Sequence, residues 1–129
     1  MSAPITAIYA ALCGLLLLGL AALVVRARRK YRTSLGVGTE PGMERAVRVH
    51  ANFVEYVPLA LLLLLLAEIN GARGVIVHAC GILLLVSRGL HAYGLSGTSG
   101  RSFGRFWGTA GTWTVLLALA LVLLAGAAR

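Results

Sequence analysis

Four membrane-spanning α-helices and no soluble domain are what this sequence predicts, and three observations predict it. Hydrophobic residues make up 59% of 129 residues, against four carboxylates, Glu40, Glu44, Glu55 and Glu68, so the chain lacks the charged surface that a soluble domain of this size needs. Two uncharged runs, Ile5 to Val25 and Phe106 to Ala128, each meet the roughly 20 apolar residues that cross a bilayer core of about 30 Å. Two further segments, about Glu44 to Glu68 and Val75 to Leu95, are apolar over most of their length and carry ionisable groups towards one end. The expected helices run from about 4 to 30, 44 to 69, 74 to 95 and 105 to 128, within a single domain of residues 1–129 with no internal repeat.

The first helix ends in Arg26-Ala-Arg-Arg-Lys-Tyr-Arg32, where long basic side chains reach lipid phosphates and stop transfer. A cleaved signal peptide would carry its charge before the apolar run rather than after it, so this segment reads as a retained span. Gly36, Gly38, Pro41 and Gly42 mark the first connection as a loop. Asn70-Gly71-Ala72 marks a tight turn, making the second and third helices antiparallel neighbours. The third connection, Gly94 to Gly111, is rich in glycine and holds Arg101 and Arg105; it is expected to cover the mouth of the bundle.

Twelve basic residues give a net charge of +8, a balance that in isolation suits nucleic acid. Their positions exclude that partner. All but Arg73 and Arg129 lie around the first and third connections, which four alternating helices bring to one side of the membrane. The positive-inside rule makes that side cytoplasmic, with both termini outside, in a multi-pass membrane protein whose first partner is lipid. Cys13 and Cys80 sit apart within apolar spans and read as small buried hydrophobes; no His/Cys cluster suggests a metal.

Chemistry concentrates in the second and third helices. Arg48, Asn52 and Glu55 have the i, i+4, i+7 spacing of one helical face, with Tyr56 beside them. Ionisable groups in a membrane helix are costly unless they face protein or water, so these are paired or functional. Glu55 and Arg88 each lie about 20 Å of helical rise from the outer ends of their helices and are expected to meet, either as a structural ion pair alone or as one that also binds ligand. His91 follows Arg88 by one turn. His50 points nearly opposite to Arg48.

The run Glu44-Arg-Ala-Val-Arg-Val-His-Ala-Asn-Phe-Val-Glu-Tyr-Val-Pro58 resembles the signature of the MAPEG family, membrane-associated proteins in eicosanoid and glutathione metabolism. Its pattern E-R-x-x-R-x-x-x-N-x-x-E-Y-x-P is matched at every fixed position, and Arg88 with His91 supplies the R-x-x-H of the third helix. His91-Ala-Tyr-Gly94 is similar to the short bacterial branch.

The resemblance implies a homotrimer binding glutathione between adjacent subunits near the cytoplasmic side. Arg48, Asn52, Glu55 and Tyr56 would hold the tripeptide from one subunit, with Arg88 and His91 behind them; Arg28 and His50 would reach it from the neighbour. The thiol-activating cation of the transferase members falls on Arg105 or Arg101. Leu95 stands where several family enzymes have a ligand-contacting Tyr, and Tyr93 points elsewhere. The function implied is a glutathione transferase or peroxidase acting on lipophilic electrophiles or lipid hydroperoxides. The alternatives are a non-catalytic ligand-binding or scaffold protein of the same fold and, third, a small multidrug exporter. The exporter reading wants a carboxylate in the first helix, which has none from Ile5 to Val25.

Overall fold

The computed structural model describes residues 2–97 and 103–128, and the side chains of all of these except 95–97. It consists of four α-helices: α1 (Pro4–Tyr31), α2 (Pro41–Ile69), α3 (Gly74–Gly97) and α4 (Phe103–Ala127). Each contains a segment long and apolar enough to cross a membrane. α2 and α3 form the middle of the bundle. α1 packs on both from one side and α4 on both from the other, so that among the described residues α1 and α4 do not touch.

Local chemistry sets the helix ends. Pro4 and Pro41 open α1 and α2 in the first turn, where the missing N–H has no intrahelical partner to lose. For α2 this moves the start three residues ahead of the expected Glu44. α1 stops where Arg32 adopts left-handed backbone (φ 49°, ψ 39°). Gly36 (φ 69°) and Gly38 (φ 60°) then turn the chain back, and Arg28 Nη1 donates to the carbonyls of Thr33 (3.3 Å) and Gly36 (3.2 Å), holding that loop. At the other end Gly71 (φ 81°) makes the tight α2–α3 turn.

The core is a ladder of small and branched side chains: Phe53, Val57, Ala60 and Leu64 from α2, Val77 and Leu84 from α3, Val115 and Leu119 from α4, and Cys13 and Leu20 from α1. Leu15, Leu18, Ile82, Leu117 and Leu124 point outward, as lipid-facing residues do.

The third connection differs from the loop expected between Gly94 and Gly111. Gly94 and Gly97 belong to α3, and Gly104, Gly108 and Gly111 to α4; Arg101 lies outside the described residues. The helical glycines are there for contact. A Cβ at Gly108 would stand 2.6 Å from the Ser87 carbonyl oxygen and 2.7 Å from the His91 nitrogen, and one at Gly104 would stand 3.0 Å from the Gly94 Cα. Small residues at this spacing let two membrane helices bring their backbones together.

The end of the bundle opposite the basic cluster is tied by polar contacts. Glu68, near the end of α2, accepts hydrogen bonds from the Ile5 N–H (2.9 Å) and the Thr6 N–H (2.6 Å), so one carboxylate caps the N-terminus of a different helix. Tyr9 hydroxyl lies 2.9 Å from His78 Nδ1, joining α1 to α3, and its ring packs on Gly81. Glu68→Leu, which removes both acceptors, is expected to destabilise the protein by about 1 kcal/mol, the scale of a lost helix cap at a partly solvated site. Glu68→Gln, with one acceptor left, should lose less. Reversible unfolding in mixed micelles measures both, and a Leu variant as stable as the parent would remove the cap from the account.

Candidate functional site

The polar residues of α2 fall on distinct faces. Its inward face is fixed by Val49, Phe53, Val57, Ala60 and Leu64. Asn52 and Tyr56 flank that face and are half-buried; Arg48 and Glu55 lie further round and are exposed on the outside of the single chain. His50 is half-buried towards the other flank. One helix therefore offers polar groups in two directions.

Arg88 is the polar centre. It is only 2% exposed, and α3 carries it into the bundle between α2 and α4. Nη1 donates to Asn52 Oδ1 at 2.6 Å, and Nη2 donates to the Gly108 carbonyl at 3.0 Å. The guanidinium carbon stands 6.0 Å from the centre of the Tyr56 ring, and Nε has no hydrogen-bond partner. The Gly108 carbonyl also accepts from Thr112 Oγ1 at 2.8 Å. Three helices thus meet on one cation through neutral acceptors.

The expected Glu55–Arg88 ion pair is absent. The two residues have matching depth, but at about 100° per residue Glu55 sits about 60° beyond Asn52 from the inward face of α2. Asn52 takes the position facing α3, and Glu55 is turned out of the subunit.

The Arg88 contact also fixes the Asn52 amide. Its oxygen must face the arginine donor, so the group it turns away from Arg88 is the NH₂, a donor. Asn52 borders a groove of about 1020 Å³ whose other walls include His91, Arg105, Phe106, Trp107 and Trp113. Polar groups occupy one part and the aromatic residues of α4 another, with Phe106 and Trp107 packed edge to face at 5.3 Å. Arg105 is half-buried and His91 is 6% exposed. A groove of this composition takes a ligand with a charged, hydrogen-bonding part and an apolar part.

The structure therefore brings Asn52, His91 and Arg105 to one groove, with Arg88 and Tyr56 behind it. Arg48 and Glu55 remain on the adjoining outer face of α2. It does not bring Arg28 or His50 there: neither lines the groove, and the Arg28 guanidinium holds its own loop. The Leu95 side chain lies outside the described residues, and Tyr93 is 82% exposed. Sequence reasoning missed the Gly108 carbonyl and the α4 aromatics. The Gly104-x-x-x-Gly108 spacing was the available signal for the first, and the cluster Phe106, Trp107 and Trp113 at one helix end for the second. Among the described residues no three His, Cys or acidic side chains come together, and Cys13 and Cys80 are free thiols.

The family model described as the MAPEG family matches residues 6–125. The chain belongs to the MAPEG family. Within it, the chain is 42% identical over 117 residues to "Inner membrane protein YecN" of Escherichia coli strain K12, an alignment covering 91% of this chain and 88% of that protein. The same figures hold for the YecN protein of Escherichia coli O6:H1 strain CFT073. The signature from Glu44 to Pro58 lies inside the matched region and runs along α2, continuous through Pro58; the R-x-x-H pair lies in the buried part of α3. In this MAPEG chain the motif thus surrounds Arg88 on one flank of α2 and leaves Arg48 and Glu55 outward.

Proposed function

We propose that this MAPEG protein binds glutathione at the groove formed by α2, α3 and α4. It acts there as a transferase or peroxidase towards lipophilic electrophiles or lipid hydroperoxides that enter from the bilayer, as an inner-membrane protein. The observation that carries the reading is the Arg88–Asn52 hydrogen bond, which holds an amide donor ready at the groove beside Arg105. Glutathione has two carboxylates, an ammonium, two amides and a thiol. Arg48 suits a carboxylate, Glu55 the ammonium, and the Asn52 NH₂ a peptide carbonyl. The aromatic side chains of α4 suit the apolar co-substrate.

For the transferase reaction, the thiol proton leaves to water, and the sulfur lone pair attacks the electrophilic carbon. The displaced group leaves with its bonding electrons. Arg105, or Arg101 in the neighbouring segment, supplies the positive charge that favours the thiolate. The basic ends face the cytoplasm and both termini the periplasm, which a reporter fused after Arg129 reads directly.

Purified protein in detergent should melt at higher temperature with glutathione. Free ligand at a hundred times its dissociation constant adds about 2.7 kcal/mol. No shift at saturating glutathione would sink the proposal.

Glu55 also supports assembly as a homotrimer. A carboxylate exposed on a membrane helix requires protein, ligand or water beside it rather than hydrocarbon. A second subunit against α2 provides that, and Arg28 and His50 of the neighbour would complete the site. Cross-linking in mild detergent should stop at three subunits; a dominant dimer would refute that assembly.

A further inference from the structure

A second cleft, separate from the groove, opens between α1 and α2 at the basic end, with a volume of about 240 Å³. Arg26 and Lys30, one helical turn apart on α1, line one side, and Arg45 lines the other from α2. No carboxylate is among its described lining residues. Its floor is apolar, made by Leu20 and Leu23 of α1 and Val49 of α2. Tyr31 closes the loop side, its ring against Gly42 and the Lys30 ammonium 5.1 Å from its centre. Arg28, nearly opposite to Arg26 on α1, is turned away and occupied by the Thr33 and Gly36 carbonyls, so this cleft does not draw on it.

We propose that this cleft binds the phosphate headgroup of an anionic membrane phospholipid. Two properties of the site lead there. The first is charge: Arg26 and Lys30 stand one turn apart on the cleft with Arg45 across from them, and guanidinium and ammonium groups bind phosphate oxygens strongly. The second is depth. Arg26 is the first charged residue after the uncharged run from Ile5, so the cleft straddles the boundary between hydrocarbon and headgroups. Its cations stand at the level of lipid phosphates while Leu20 and Leu23 lead down the same face of α1 to Leu16 and the outward-facing Leu12, a path an acyl chain can follow. A soluble phosphate would use the cations and leave the apolar floor unmatched. Basic recesses between transmembrane helices at this level are suited to anionic headgroups.

The test is native mass spectrometry of the full chain in nonionic detergent, offered equal amounts of phosphatidylglycerol and phosphatidylcholine with the same acyl chains. The parent should retain phosphatidylglycerol preferentially. Arg26→Gln and Lys30→Gln should each reduce that preference roughly fivefold, and the pair by on the order of 20-fold, the scale of one basic contact each at a membrane surface. Both residues are exposed on the isolated chain, and the single variants give the readout if the double variant is poorly made. Arg29→Gln at the same end and Arg73→Gln at the other should keep the parental preference. Equal retention of the two lipids by the parent, or an equal loss in the control variants, overturns the proposal. Displacement of phosphatidylglycerol by excess inorganic phosphate overturns it too, since the site would then serve a soluble anion.

Discussion

Gly108→Leu is expected to destabilise the protein by about 3–5 kcal/mol and to release Arg88 from the contacts that organise the groove. The obstacle to any side chain here is backbone, the Ser87 carbonyl at 2.6 Å and the His91 nitrogen at 2.7 Å, and backbone cannot be relieved by a rotamer change. α4 must therefore move away from α3. Overpacking of this kind costs about 1–3 kcal/mol, and a lost hydrogen bond to a charged group about 1.5–3. The Gly108 carbonyl leaves with the helix, so Arg88, already without a partner at Nε, loses its Nη2 contact as well. Gly126→Leu supplies the control on the same helix: a Cβ there meets nothing within 4 Å, so its stability should stay within about 0.5 kcal/mol of the parent. Unfolding of the three proteins in mixed micelles decides the matter. A Gly108→Leu protein as stable as Gly126→Leu would show that the α3–α4 contact is not what holds Arg88.

The same residues show what a single sequence reveals and what it hides. Helix number and approximate span are legible because hydrocarbon imposes one rule on every residue within it, and the uncharged runs of α1 and α4 obey it outright. Glycine is ambiguous. Gly36 and Gly38 turn a loop with positive φ, whereas Gly104, Gly108 and Gly111 sit in a helix because another helix lies against them. The i, i+4 spacing does not separate them, since Gly38 and Gly42 share it with Gly104 and Gly108; what differs is the neighbouring sequence, with Pro41 breaking the first stretch and Phe106, Trp107 and the apolar run continuing the second.

Depth along a helix is also easier to read than direction around it. Counting from the tight turn placed Glu55 and Arg88 at one level, but the partner at that level is decided by the packing of Phe53 and Val57 into the core, which turns Asn52 to Arg88. Of the motif residues, Asn52 and Tyr56 face the buried cation while Arg48 and Glu55 face outward, and the cation is held by neutral groups. A search for opposite charges has no reason to choose them. The local partners of Arg28 are hidden for a related reason: the sequence shows it at the end of α1, but the loop carbonyls it donates to come into reach only after Gly36 has turned the chain.

Replacing Arg105 is expected to change the chemistry of bound glutathione more than its binding. Arg48 and Glu55 stand on the outer face of α2, and Arg88 is committed to Asn52 and Gly108. Arg105, at the start of α4, shares the wall of the groove with Asn52, and it is the cation expected to face the thiol of a glutathione whose peptide carbonyl Asn52 holds. A cation beside a thiol stabilises the thiolate and lowers its pKa below the free range near 8.5, so removing the cation raises the pKa again. Each unit of that rise lowers the thiolate fraction at neutral pH about tenfold, and turnover at neutral pH falls with it. Raising the pH should restore the thiolate, a recovery that a damaged binding site would not show. The measurement is the ultraviolet absorbance of the bound thiolate against pH in the parent, Arg105→Ala and Arg101→Ala, with glutathione affinity followed in parallel. A shift in Arg105→Ala assigns the activating charge to α4, and a shift only in Arg101→Ala moves it to the segment before that helix. If neither substitution moves the titration while glutathione still binds, no arginine of this region activates the thiol. Leu95, at the position where several enzymes of the family carry a tyrosine, would then favour the non-catalytic reading: a membrane protein that keeps the family's glutathione site for binding alone.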